Sequence, residues 1–346
     1  MDIRFCLKSD ITHVMRFLNK HWAENHVLSK NRELMDWQYS GTQGRDYDFI
    51  AAFDGENMFG CLSFIRTSRF DPALAENDTI WLTLWQTRND APGGLGLQLL
   101  AFLRKHVPHR SIGTIGFDPK SERLYRALGY KIGCMTQHYV LHPKLTKFTL
   151  AVIPEGSPRF GHGIDSQANP RLQKLDAYGV RMLKDTLVDV WPENATPRKS
   201  LNYYISRFIN HPFYNYGIYA IEHDGRTRGL LVLRVCDHHG VRALRLVDAY
   251  TYPDALRGIA KPLQVFLETH NIEYADLYQT GLDDDAVNSS GLLTLNNQIN
   301  DVIIPSYFEP FRKENIMLCW SYRLECEQRV IAFKADCDQD RPSQLD

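Results

Sequence analysis

The stretch Thr79-Ile-Trp-Leu-Thr-Leu-Trp-Gln-Thr-Arg-Asn-Asp-Ala-Pro-Gly-Gly-Leu-Gly-Leu-Gln-Leu-Leu100 restricts what this chain can fold into more than any other. Ile80, Leu82 and Leu84 alternate with Trp81, Thr83 and Trp85, which is the period of a strand. Asn89-Asp90-Ala91-Pro92-Gly93-Gly94 breaks it with turn formers. Leu95, Leu97, Leu99, Leu100, Phe102 and Leu103 then predict a helix that opens on glycines. A strand feeding a glycine-rich loop and a helix N-terminus has the outline of a phosphate cradle. Free backbone N–H groups and the positive end of the helix dipole point at one spot, and glycine has no Cβ to hold an anion off. The same turn also serves plain packing, so the rest of the chain must decide.

Composition removes several classes. A chain of 346 residues suits two domains, and 44% hydrophobic with 23% charged residues is an ordinary globular balance. A formal net charge of −1, with no basic stripe, argues against a nucleic-acid partner. No apolar run reaches membrane-spanning length, and Met1-Asp-Ile-Arg-Phe-Cys-Leu-Lys8 lacks the plan of a signal peptide. No membrane partner is therefore expected, and the expected location is the cytoplasm. The seven cysteines are odd in number, scattered and without a C-x-x-C pair, so they read as reduced thiols. No metal site is expected.

Taken in order, Asp2 to Leu7 predicts a strand, and Ser9-Asp10-Ile11 starts a helix with Ile11, Val14, Met15 and Leu18 on one face. A second helical piece runs from Lys30 to Tyr39, and Asp48 to Arg66 predicts a hairpin turning at Asp54-Gly55. After the central strand, loop and helix come a strand at Ser111 to Phe117, a helix from Asp118 to Tyr130 and a last strand through Met135 to His142.

That order, with two motifs, resembles the GNAT superfamily of acyl-CoA-dependent N-acetyltransferases over roughly residues 2–142. The first motif is Ala91-Pro-Gly-Gly94-Leu-Gly96, similar to the superfamily's pyrophosphate loop; the second is Leu124-Tyr125 with Leu128-Gly129-Tyr130. Ala91 stands where the superfamily usually has Gln or Arg, and Asp118 and Ser121 replace its usual Asn and Ala. The resemblance implies acetyl-CoA as cosubstrate, with backbone N–H groups of Gly93, Gly94, Leu95, Gly96 and Leu97 on its pyrophosphate. A backbone N–H at Leu84 or Trp85 would polarise the thioester, and Tyr125 would protonate the departing thiolate. His21, His26 and Asp36 lie in the region that borders the acceptor and are the candidates for the base, His26 being placed with the catalytic residues. Trp37, Tyr39 and Trp85 could stack on a sugar ring, although core packing explains each of them equally well.

The second half repeats the plan. Tyr216 to Arg234 predicts another hairpin, with Asp224-Gly225 where Asp54-Gly55 stood. A helical piece, Ser200 to Ile209, precedes it. After it come a strand, Arg242 to Tyr250, a helical stretch, Pro253 to His270, a strand, Glu273 to Gln279, and a closing strand, Trp320 to Leu324. Its counterpart of the loop, Tyr252 to Ala260, keeps one glycine, so this unit reads as a structural partner. The expected fold class is α/β (α+β): tandem GNAT folds, each a mixed, mostly antiparallel sheet flanked by helices. The expected domains are an acyltransferase at 1–145 and a degenerate GNAT-like domain with tail at 146–346, joined by Lys144 to Ser166. The tail Phe333-Lys-Ala-Asp-Cys-Asp-Gln-Asp-Arg-Pro342 alternates aspartates but lacks the glycine and terminal Glu of a calcium loop; it suits a segment lining a cleft or interface. The expected acceptor is a small-molecule amine. On resemblance to proteins of bacterial surface-polysaccharide clusters, that amine belongs to an amino sugar, free or nucleotide-linked. The alternatives are another donor, such as an aminoacyl-tRNA, or a non-catalytic binding or scaffold protein. A homodimer is compatible with the sequence.

Overall fold

The computed structural model describes residues 1–41, 44–161, 168–192, 194–296, 301–324 and 329–341. The end of the expected connection, 162–166, and the tail beyond Arg341 lie outside the described residues. The chain is mixed α/β, with mostly antiparallel sheets flanked by helices, and it divides into two compact units.

The first unit comprises Met1–Ile132, Trp320–Cys326 and Cys337–Asp346. Strand β1 (Asp2–Phe5) is followed by helices α1 (Ile11–His21), α2 (Val27–Lys30) and α3 (Arg32–Tyr39). Strands β2 (Phe49–Asp54) and β3 (Asn57–Arg66) form the hairpin, where Gly55 takes the positive φ of 57° that the tight turn requires. Then come β4 (Thr79–Thr87), α4 (Leu95–His106), β5 (Ser111–Ile115), α5 (Glu122–Ala127), β6 (Lys131–Cys134) and β7 (Thr136–Leu141). β1 to β4 pair antiparallel in chain order, and β5 returns parallel to β4 after the α4 crossover. Leu95, Leu99 and Leu103 of α4, spaced a helical turn apart, are buried with Leu62, Phe64, Ile80 and Leu82 of the sheet. This packing fixes the N-terminus of α4 beside the end of β4. α5 is shorter than the helix expected over Asp118–Tyr130. Asp118 caps a 3-10 turn that contains Pro119, and Gly129, at φ 80°, ends the helical run.

The second unit comprises Gly133–Cys319 and Glu327–Asp336. Its sheet runs from Arg171–Leu175 through Tyr216–His223, Arg226–His238 and Val241–Thr251 to Tyr274–Thr280. All these neighbours are antiparallel except the last pair, which is parallel after the helix Ala260–His270. The strand plan is that of the first unit.

The closing strands depart from the boundary expected at 145/146. β7 pairs with Tyr274–Thr280 in the second sheet, from Tyr274↔Leu141 to Gln279↔Thr136. The strand Cys319–Leu324 instead pairs with β5, from Trp320↔Ile115 to Leu324↔Ser111. Apolar alternation marks each segment as a half-buried strand, but it carries no information about which free sheet edge the strand joins. No helix among the described residues is long and apolar enough to cross a membrane.

Candidate active site

The site is built where β4 stops pairing. Ser63 lies opposite Leu84 and Phe64 opposite Leu82, so Thr83 is the extra residue of a β-bulge. On the other side β4 pairs with β5 only from Thr79 to Trp81. Beyond that point the strands part. The carbonyl of Leu82 accepts instead from Cys337 Sγ at 3.2 Å, and Leu84 and Trp85 follow beside the opening.

The loop leads directly from this opening. Gly94 takes the left-handed conformation, φ 80°, as N-cap of α4, and no side chain caps the helix. A Cβ on Gly93 or Gly94 would meet no protein atom within 4 Å, so the space over the loop is open. The positive end of a 12-residue helix therefore faces solvent with its first-turn amides uncapped. One expected member is corrected here. The Leu95 N–H already donates to the Pro92 carbonyl at 3.2 Å and the Leu95 side chain is core, so the cradle falls to Gly93, Gly94, Gly96 and Leu97.

Trp85 joins the loop to α5. Its indole Nε1 donates to the Gly96 carbonyl at 3.1 Å, and its ring meets Tyr125 edge-on, with centroids 6.0 Å apart. The Tyr125 ring is further enclosed by Phe117 at 4.9 Å and Tyr130 at 5.3 Å. Burial pushes the Tyr125 phenol well above its ordinary range, so it stays protonated at neutral pH. The phenol therefore holds a proton to donate, and the same burial that keeps it there makes it a weaker acid than a free phenol.

The other expected residues separate into two groups. His26 is buried, its Nδ1 accepts from the Leu28 N–H at 3.3 Å and its Nε2 lies 3.4 Å from Arg341 Nη1. Burial, and then the Arg341 charge, lower its pKa to about 3. A group that binds a proton so weakly is a poor general base, which corrects the role expected for it. Tyr39 is fully buried against Phe49, and its hydroxyl meets Thr83 Oγ1 at 2.9 Å. It has no open face for a sugar, so its stacking role is corrected to one of holding the bulge. His21 packs on Phe17 at 4.9 Å, and burial followed by the Lys20 and Arg88 charges lowers its pKa. Trp37 packs on Phe70 at 5.8 Å. Asp36 is engaged by Arg32 at 2.8 Å and by the Tyr47 hydroxyl. Among the described residues, neither His21 nor Asp36 is hydrogen-bonded to the bulge, the loop amides or Tyr125.

Sequence reading missed a polar group behind the bulge. Asp338 Oδ2 accepts from Gln38 Nε2 at 3.1 Å and from Arg341 Nη2 at 2.8 Å, and Gln38 also donates to the Tyr39 hydroxyl at 2.9 Å. Ser63 Oγ closes the chain on Thr83 Oγ1 at 2.8 Å. The alternating aspartates of the tail were the available signal, and they serve hydrogen bonding within the fold.

No family model matches the chain, and no curated protein sequence matches it. Among solved structures it is similar to a GCN5-related N-acetyltransferase from Anabaena variabilis ATCC 29413. That match has 12% identity and a TM-score of 0.51, covering 93% of this chain and 72% of the other. Eis1 from Mycobacterium abscessus matches at 11% identity and a TM-score of 0.46, covering 94% and 74%, and adds nothing to the assignment at that score. The chain has the fold of the GCN5-related N-acetyltransferases.

Proposed function

We propose that this chain is an N-acyltransferase made of two GNAT-like units, which carries an acetyl group from acetyl-CoA to the amine of a small molecule. An amino sugar, free or nucleotide-linked, used in surface-polysaccharide synthesis is the acceptor, and the cytoplasm is the setting. The observation that carries this reading is Trp85, hydrogen-bonded to the uncapped glycine loop on one side and packed on Tyr125 on the other. The matched strand plan of the two sheets supports a repeat.

In this reading the amides of Gly93, Gly94, Gly96 and Leu97 hold the pyrophosphate. The main chain at Leu84 and Trp85, past the Thr83 bulge, faces the thioester. The acceptor nitrogen attacks the thioester carbon, the C–S bond breaks, and the thiolate takes the Tyr125 proton. Positioning two reactants in one cleft supplies much of the rate. The amine's own proton leaves to water, because His26 is too weak a base at about pKa 3.

One observation favours a non-catalytic binding protein instead: Cys337 occupies the Leu82 carbonyl where the strands part. Release of CoA from acetyl-CoA, measured across a panel of amino sugars, separates the two. Turnover with any of them supports the enzyme. A melting temperature unmoved by saturating acetyl-CoA, together with no turnover, would sink it.

A further inference from the structure

A second basic centre lies at the other end of α4, away from the glycine loop. A cavity of ≈ 620 Å³ is lined there by Arg104 and Lys105 of α4, His109 and Arg110 of the following loop, Ile112 of β5 and Arg323 of the strand Cys319–Leu324. Among the described residues that line it there is no carboxylate. Arg104 and Lys105 sit in the last turn of the helix, where cations offset the dipole and need no other explanation. His109, Arg110 and Arg323 come from a loop and from a strand distant in sequence, and no dipole accounts for them. Four cationic side chains, Arg104, Lys105, Arg110 and Arg323, converge on one hollow and repel one another, and this happens in a chain whose net charge is −1. None of Arg104, Lys105, Arg110 or Arg323 has an ion pair among the described residues.

Two of the groups are held in place. Arg323 Nη1 donates to the Leu128 carbonyl at 2.8 Å, which leaves its other nitrogens to the cavity. His109 Nδ1 lies 2.7 Å from the Val107 carbonyl, so it donates there and Nε2 is the free ring nitrogen. The volume falls in the range of small-molecule sites, roughly 300–1,000 Å³.

We propose that this cavity binds the diphosphate group of a small molecule such as a nucleoside diphosphate. Arginine forks pair with phosphate oxygens two at a time, and lysine adds a point charge. A single concave site, without a basic stripe or interleaved aromatics, fits a compact anion better than a nucleic-acid strand. The proposal does not depend on acyl transfer.

The test is calorimetric titration with inorganic pyrophosphate and with UDP. It compares the wild type, the double variant Arg104→Ala/Arg110→Ala and the loop variant Gly96→Val, each checked for fold by circular dichroism. The expected result is a binding event in the wild type, separate from any at the glycine loop, that weakens about tenfold or more in the double variant and persists in Gly96→Val. Affinity should fall as salt rises. Tighter binding of UDP than of pyrophosphate assigns a nucleoside diphosphate, and equal binding assigns the diphosphate alone; both support the site. Undiminished affinity in the double variant overturns it, as does loss in Gly96→Val instead, or tighter binding of a single-stranded oligonucleotide. Because Lys105→Ala removes a charge at an exposed position, it repeats the test should the double variant unfold.

Discussion

Trp85 and Gly96 fix each other in two ways. The indole Nε1 donates to the Gly96 carbonyl at 3.1 Å, and a Cβ built on Gly96 would stand 3.1 Å from the same nitrogen. A side chain at position 96 therefore pushes Trp85 away and also intrudes on the first turn of α4. Gly96→Val should weaken acetyl-CoA binding about tenfold or more, equivalent to ~1.4 kcal/mol. Calorimetry against the wild type checks this, and an unchanged dissociation constant removes Gly96 from the cradle.

Tyr125 offers a cleaner separation of binding from chemistry. Its ring packs on Trp85, Phe117 and Tyr130, and phenylalanine keeps those contacts. Tyr125→Phe should lower kcat by roughly a hundredfold, the lower range for a lost general acid, while acetyl-CoA affinity stays within about twofold. Burial raises the phenol's pKa, so loss of its proton cannot produce a falling limb in the wild-type rate profile at neutral pH. Equal turnover in the variant would remove Tyr125 as the acid.

His26 makes the opposite prediction from the one its sequence position suggests. Its folded pKa of about 3 lies below the ordinary value of about 6.5. Between those values the unfolded state binds the proton and the folded state does not. Stability is therefore full above about pH 6.5 and falls as the pH drops toward 3, by up to a few kcal/mol. His26→Asn can still cap α2, whose Leu28 N–H the imidazole accepts from, but it cannot titrate. The variant should lose part of the acid-side slope of the melting temperature and keep the wild-type pH–rate profile. A rate that collapses at neutral pH would restore His26 as the base.

What the sequence disclosed was local. The β2–β3 hairpin at Gly55, the β4–loop–α4 unit and the Leu124-Tyr125 register each sit within one continuous stretch, so periodicity and turn chemistry reach them. The destinations of β7 and of Cys319–Leu324 were hidden, because a strand's pattern names its buried face and not its neighbour. The Gln38–Asp338 bond spans 300 residues; the alternating aspartates mark the tail as polar, but nothing in Trp37-Gln-Tyr39 names it as their partner. His26 and Tyr39 misled for a related reason: residue type suggests chemistry, but burial decides whether that chemistry is accessible.

The second unit carries a buried charge cluster beside the bulge in its own strand Val241–Thr251. Lys199 Nζ lies 2.9 Å from both carboxylate oxygens of Asp248 and 2.9 Å from Asp336 Oδ2, and all three side chains are sealed from solvent. Tyr204 donates to Asp248 Oδ1 at 2.9 Å. Asp248 follows the bulge residue Val247, as Leu84 follows Thr83. The place corresponding to the opening in the first unit is thus occupied by an internal ion cluster. Burial holds Asp248 above the ordinary carboxylate range although Lys199 pulls it down. Lys199→Met removes that cation and leaves two buried carboxyl groups, which then fold readily only when protonated. The variant should lose about 3–5 kcal/mol at neutral pH, the usual cost of stranding a buried charge. The sign of its pH dependence follows. With the folded pKa of Asp248 raised further above its unfolded 3.8, the folded variant holds a proton that the unfolded chain has released, so its stability falls as pH rises. The gap to the wild type should be narrow near pH 5 and wide at pH 8, measured by urea unfolding at each pH. A gap that stays constant across this range would mean that Lys199 contributes packing alone.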